Sequence, residues 1–185
     1  MEIYLIRHTT PAVERGICYG FSDIDVADTF ETEAARIVPL LPEQPFDVYT
    51  SPLQRCHKLA TRLFGEQVSI DRRLMELNFG DWEMQRWEAL GPDALQKWMD
   101  DFVYERVPNG ESYEDLYLRS LDILQEIIAK GRDAVLVTHS GVIRALLAHV
   151  THTPLEKSFD RRTEYGRVAR LSALNGQIEM IFYNA

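Results

Sequence analysis

Only two cysteines, Cys18 and Cys56, occur in the chain, too few for a disulfide framework or a cysteine-based metal cluster. No apolar run approaches the roughly 20 residues of a membrane-spanning helix. The N-terminus has no basic stretch leading into a long apolar one, so neither a membrane anchor nor a signal peptide is expected, and a reducing cytoplasm is the default location. Positive charge is scarce too: 20 Lys and Arg stand against 29 Asp and Glu, a formal net charge of −9. That balance argues against nucleic acid or an anionic membrane as the main partner. It leaves room for a small anionic substrate, because a local group of arginines outweighs distant surface charge. Repeats, low-complexity segments and linkers are also missing, so one domain spanning 1–185 is expected. A chain of this length buries roughly 70% of its unfolded surface and needs no covalent staples. Nothing in it fixes an oligomeric state.

What the chain does have is a regular alternation of short apolar runs and helical patterns. Residues 2–6 (EIYLI), 47–51 (DVYTS), 68–70 (VSI) and 134–139 (AVLVTH) read as strands. Helices are expected from about Asp28 to Leu41, from Pro52 to about Phe64, and after His139. Ser112 and Asp115 form a capping-box-like pair ahead of a long amphipathic helix whose stripe is Tyr113, Leu116, Tyr117, Leu121, Leu124, Ile127 and Ile128, closed by Gly131. Asn175-Gly176 between 167–173 and 177–183 signals a terminal hairpin. The pattern predicts an α/β fold, a three-layer α/β/α sandwich with a mostly parallel central sheet. In such sheets ligands bind beyond the carboxyl ends of the strands.

Chemistry-bearing residues collect at those ends. The first strand runs out in Arg7-His8, the second feeds a helix with Arg55 in its first turn, and the strand at 134–138 ends in His139 before Ser140-Gly141. If the strands are parallel, two arginines, two histidines and two helix N-termini share one edge. Free backbone N–H groups and forked guanidinium donors suit an oxyanion, most naturally a phosphoryl group. A neutral imidazole there can attack phosphorus, and a second imidazole, protonated by the phosphate's charge, can steady the transition state. An alcohol leaving group also needs a proton; the segment RLMELNFGDWE at 73–83 offers Glu76, Asp81 and Glu83.

Four segments in order, LIRHTTP, SPLQRC, RLMELNFGDWE and VTHSGVIRALL, resemble the histidine phosphatase superfamily, the phosphoglycerate-mutase-like proteins, over residues 3 to about 147. The resemblance implies His8 as a nucleophile that becomes phosphohistidine. It implies Arg7, Arg55 and His139 as a phosphate clamp with the Ser140 backbone N–H, Glu76 as the general acid, a small phosphate ester as substrate, and no metal or organic cofactor. Within the superfamily, RHTTPAVERGICYGFSDIDV at 7–26 resembles the alpha-ribazole phosphatase branch of cobalamin assembly, and the short chain resembles a phosphatase more than a mutase. Glu14 falls where many members carry an asparagine that touches phosphate; a carboxylate there would repel it, so Glu14 is left out of the clamp.

Other readings compete. Two histidines and Glu76 could hold a metal, but two arginines in the same place would repel a cation. Cys56 stands in a spacing shared with cysteine-dependent phosphatases, yet CHKLATR lies within a predicted helix and has no glycine, so Cys56 is expected to be a buried apolar residue, and Cys18 likewise. Asp81 and Glu83 are expected to be solvated or capping residues. Trp82, Trp87, Trp98 and Tyr104 read first as packing and second as a lid or specificity segment over 78–112 that stacks on an aromatic leaving group. Beside the phosphatase stand a broad-specificity phosphatase, a mutase-type phosphotransferase, and a binding module without turnover; a pure binder has no use for Glu76.

Overall fold

A computed structural model of the chain describes residues 1–41, 43, 46–174 and 176–185. The N-terminal apolar run is a strand, β1 (Glu2–Arg7), and its alternation sets the layers. Ile3 and Leu5 face one apolar core, Tyr4 and Ile6 another. A strand buried on both sides lies in the middle of a sandwich. The other strands are β2 (Asp47–Thr50), β3 (Ser69–Ile70), β4 (Ala134–Thr138), β5 (Val168–Leu174) and β6 (Gln177–Phe182), in the order β3-β2-β4-β1-β5-β6. β3, β2, β4 and β1 run parallel, while β5 lies antiparallel to β1 and β6 antiparallel to β5. Leu174 pairs with Gln177 across the terminal hairpin; of the expected turn, Asn175 lies outside the described residues.

The helices are α1 (Phe30–Ile37), α2 (Gln54–Phe64), α3 (Pro92–Asp100), α4 (Tyr113–Lys130) and α5 (Ser140–Val150). α1 and α2 bury Ala34, Ile37, Cys56, Leu59 and Ala60 against one face of the sheet, with Val135 and Val137. α4 and α5 bury Leu116, Ile123, Leu124, Ile127, Val142 and Leu146 against the other. The α/β/α architecture is thus as expected. α4 begins at a complete capping box: Ser112 Oγ accepts from the Asp115 N–H and Asp115 accepts from the Ser112 N–H. It ends at Gly131, whose φ of 66° is the left-handed conformation that glycine takes freely.

Two helix boundaries differ from expectation. α1 stops at Ile37 and continues as a 3-10 turn over Val38–Leu40, because Pro39 has no N–H to extend the ladder. α2 starts at Gln54 rather than Pro52, where the Asp23 carboxylate accepts the Gln54 N–H at 2.7 Å and caps it from outside. Among the described residues no helix is long and apolar enough to cross a membrane.

Candidate active site

Register places the site. Arg7 at the end of β1 pairs with Thr138 at the end of β4, and the N–H of Ser51, just past β2, donates to the Val137 carbonyl of β4. His8, Ser51 and His139 therefore follow three adjacent parallel strands at one edge, as the sequence pattern predicts. The His8 and His139 rings lie 5.1 Å apart, centroid to centroid, and both are buried.

His8 Nδ1 lies 2.7 Å from the Thr9 carbonyl oxygen. A carbonyl only accepts, so Nδ1 carries the proton and the Nε2 lone pair is free. Burial, then Arg55 and Arg7, hold the His8 pKa well below the ordinary histidine range, which keeps the ring neutral. His139 is held low by burial and by Arg55 as well. Its cationic form is therefore favoured only beside an anion. His139 Nε2 stands 2.8 Å from Ser51 Oγ, and Cys56 Sγ lies 3.3 Å from the same nitrogen, packed beneath the ring. Burial pushes the Cys56 thiol well up, so this cysteine is inert packing inside α2, as expected.

The two arginines are held differently. Arg55 is fully buried; its Nη1 donates to the Ser22 carbonyl at 2.8 Å and its Nη2 to the Gly20 carbonyl at 2.7 Å. Arg7 Nη1 donates to the Thr163 carbonyl, and its guanidinium lies 3.7 Å from the Tyr165 ring centroid. In both, the buried Nε has no partner among the described residues. Two unpartnered guanidinium donors beside a neutral imidazole suit an anionic ligand. Ser140 opens α5 at N1, where its amide has no intrahelical acceptor, and its Oγ lies 2.6 Å from Thr163 Oγ1.

Glu76 stands across from these groups. Its Oε1 and Oε2 accept the Gly141 N–H at 3.2 and 3.1 Å, and Oε1 accepts the Leu77 N–H at 3.0 Å. A carbon in place of the Gly141 hydrogen would lie 2.2 Å from Oε1, so the carboxylate sits this close only because residue 141 is glycine. From α4, Arg119 donates to the Arg73, Met75 and Glu76 carbonyls at 2.8, 2.6 and 2.8 Å and pairs with Glu111, fixing the loop that carries Glu76.

A cleft of about 460 Å³ joins Arg7, His8, Glu76 and Ser140 at one end to aromatic walls at the other. Arg55 and His139, both fully buried, are not exposed in its lining but adjoin His8: the Arg55 charge raises the cost of protonating His8, and a charged His8 would raise that of protonating His139. The tryptophans divide. Trp87 and Trp98 line the cleft with Phe79 and Phe102, whereas Trp82 is buried in a small core with Cys18, Leu90 and Val107, and Tyr104 is exposed away from it. Glu14 pairs with Arg86 at 2.5 Å and is not a cleft residue.

Glu83 departs from expectation. Its backbone does cap the 3-10 turn Gly80–Trp82, but its half-buried carboxylate is taken up by protein: it accepts the N–H groups of Gly20, Phe21, Ser22 and Phe79 at 2.8 to 3.1 Å and the Ser22 hydroxyl. This one carboxylate folds the loop whose carbonyls hold Arg55. Tyr19, Thr163 and Tyr165 also escape sequence reasoning. Tyr19 and Tyr165 share a 2.7 Å hydrogen bond over the arginines. Only the Cys-Tyr-Gly run marks Tyr19, and no periodicity marks the irregular stretch before β5.

The sequence model of the histidine phosphatase superfamily (branch 1) matches residues 3–185. The chain belongs to that superfamily of phosphatases. It is 32% identical to a glucosyl-3-phosphoglycerate phosphatase of Mycolicibacterium vanbaalenii over 84% of this chain and 76% of the relative. It is 27% identical to the adenosylcobalamin/alpha-ribazole phosphatase of Salmonella typhimurium, over 90% of this chain and 87% of that one. In fold it is similar to the alpha-ribazole phosphatase of Shigella flexneri, with a TM-score of 0.90 at 24% identity, covering 100% of this chain and 96% of that chain.

Proposed function

We propose that the chain hydrolyses phosphomonoesters through a phosphohistidine on His8, with alpha-ribazole 5′-phosphate as the substrate. The observation that carries the chemistry is the Nδ1–H bond to the Thr9 carbonyl, which leaves His8 Nε2 unprotonated beside Arg7 and Arg55. Arg7, Arg55, His139 and the Ser140 amide hold the phosphoryl oxygens. The Nε2 lone pair forms the N–P bond as the ester P–O bond breaks, and Glu76 delivers a proton to the leaving oxygen. A water then attacks phosphorus while Glu76 takes its proton; the N–P bond breaks, and inorganic phosphate leaves with His8 neutral again. Every proton in the two steps moves between Glu76, water and substrate.

The substrate assignment is supported by the aromatic side chains in the cleft lining: Trp87, Trp98, Phe79 and Phe102 offer ring faces on which a benzimidazole attached to ribose can stack. The alpha-ribazole phosphatase relative and the CYG segment at 18–20 lend support as well. A glucosylglycerate leaving group offers no aromatic face to such walls. The test is a panel of alpha-ribazole phosphate, 3-phosphoglycerate, glucosyl-3-phosphoglycerate and p-nitrophenyl phosphate compared by kcat/KM, with an acid-labile, base-stable phosphate adduct sought on His8. The ribazole ester should lead, and His8→Ala should lose both turnover and adduct. Full activity in His8→Ala would refute the nucleophile; a lead for glucosyl-3-phosphoglycerate would refute the substrate.

A further inference from the structure

Arg144 takes no part in the reaction above, yet it stands in the same cleft as His8 and Glu76. It lies one helical turn past Ser140 on α5, so the two side chains leave the same face of the helix. Its Nε donates to the Arg161 carbonyl at 3.0 Å, and its Cζ lies 4.9 Å from the Phe159 ring centroid. These contacts fix the plane of the guanidinium and use one of its five N–H donors. Neither Nη atom has a protein partner among the described residues, and neither is sealed away from the cleft. Burial and Arg7 make the site unfavourable for a cation, and Glu76 only partly offsets them. A half-buried guanidinium with open donors in an aromatic cleft is left short of acceptors.

Which part of a substrate would meet these donors follows from the proposed reaction and from what Arg144 touches. Phosphoryl oxygens face Arg7, His8 and the Ser140 amide, and the ester oxygen faces Glu76. Arg144 packs on Phe159, whose ring meets the Phe102 wall at 4.9 Å between centroids, and this contact with the aromatic part of the cleft puts it toward the leaving alcohol. We infer that Arg144 is a specificity residue, donating to an oxygen that the leaving alcohol carries a few atoms beyond the ester bond, either a sugar hydroxyl or a carboxylate. The inference rests on the phosphatase reading and deepens it: the aromatic walls take the flat part of the substrate and Arg144 its oxygen-bearing part.

The experiment compares wild type, Arg144→Leu and Arg144→Lys on alpha-ribazole phosphate, 3-phosphoglycerate and phenyl phosphate, whose leaving group has no oxygen beyond the ester. In Arg144→Leu the kcat/KM ratio of at least one oxygen-bearing ester to phenyl phosphate should fall about tenfold to a hundredfold, the range of a charged hydrogen bond. A fall confined to the ribazole ester assigns a hydroxyl, and one confined to phosphoglycerate a carboxylate. Arg144→Lys keeps the charge without the fork, and should lower the ratio by about threefold to tenfold even if the leucine variant fails to fold. An equal fall on all three esters would make Arg144 part of the phosphate clamp. Unchanged ratios would make it a strut for the 155–161 turn. Either result overturns the inference while leaving the phosphatase reading intact. A wild-type protein inactive on all three removes both.

Discussion

At the scale of single residues, the site is a set of protons held in assigned places. The Thr9 carbonyl fixes one on His8 Nδ1, and the Gly141 and Leu77 amides hold the Glu76 carboxylate where a leaving oxygen would come. If Glu76 supplies that proton, its value depends on how badly the leaving group needs one. Glu76→Gln should cut kcat/KM by about 10² to 10⁴ on alkyl phosphates, whose alkoxides leave poorly. On p-nitrophenyl phosphate, whose phenolate leaves unaided, the loss should be under about tenfold. Steady-state kinetics on the two esters decide it: equal losses would mean that the carboxylate only shapes the site. Most of these residues were legible in the sequence because each stands at the end of an apolar strand or in a short acidic loop. Glu83 was not, since its role depends on which loop it meets, and the Gly20–Ser22 loop is some sixty residues away in the chain.

At the scale of elements, periodicity and capping chemistry predict β1, β2, β4 and α4 closely, because their partners are local or their burial is complete on both faces. The loops that complete the site carry no such signal. The Gly20–Ser22 loop is shaped from outside: a side-chain carbon on Gly20 would lie 1.7 Å from the Leu77 carbonyl oxygen, and Glu83 gathers three successive N–H groups of the loop. The consequence is transmitted to Arg55 through the Gly20 and Ser22 carbonyls. Glu83→Gln puts an amide donor where an acceptor is needed, facing N–H groups, so the loop must shift. It should weaken inhibition by inorganic phosphate and lower kcat/KM by about tenfold or more. A purely structural role would lower the melting temperature and leave phosphate affinity in the surviving folded protein unchanged. Inhibition by phosphate is therefore the measurement that separates the two.

At the scale of the whole molecule, an acidic chain keeps a cationic hollow at one edge of its sheet. Arg7, Arg55 and two imidazoles meet there, and Glu76 is the acidic group the site presents to them. The fold tolerates this because both rings are neutral: burial and the arginines hold His8 and His139 well below the ordinary 6.5. That arrangement has a sign. Well above pH 6.5 the rings are neutral in folded and unfolded chains alike, and stability does not depend on them. As pH falls through 6.5, the unfolded chain binds protons at both rings that the native chain refuses, so stability declines. Each ring contributes a slope approaching about 1.4 kcal/mol per pH unit until the native ring protonates. Urea unfolding between pH 7 and pH 5 in phosphate-free buffer should show this decline, and His8→Asn should reduce the slope by up to one ring's share. An unchanged slope would mean that His8 is charged in the native protein. Inorganic phosphate closes the argument, since an anion bound at Arg7 and Arg55 favours the protonated form of the neighbouring native ring. It should raise stability at pH 5.5 by more than at pH 7.5, flattening the curve, because the native protein then binds protons that the anion-free one excludes.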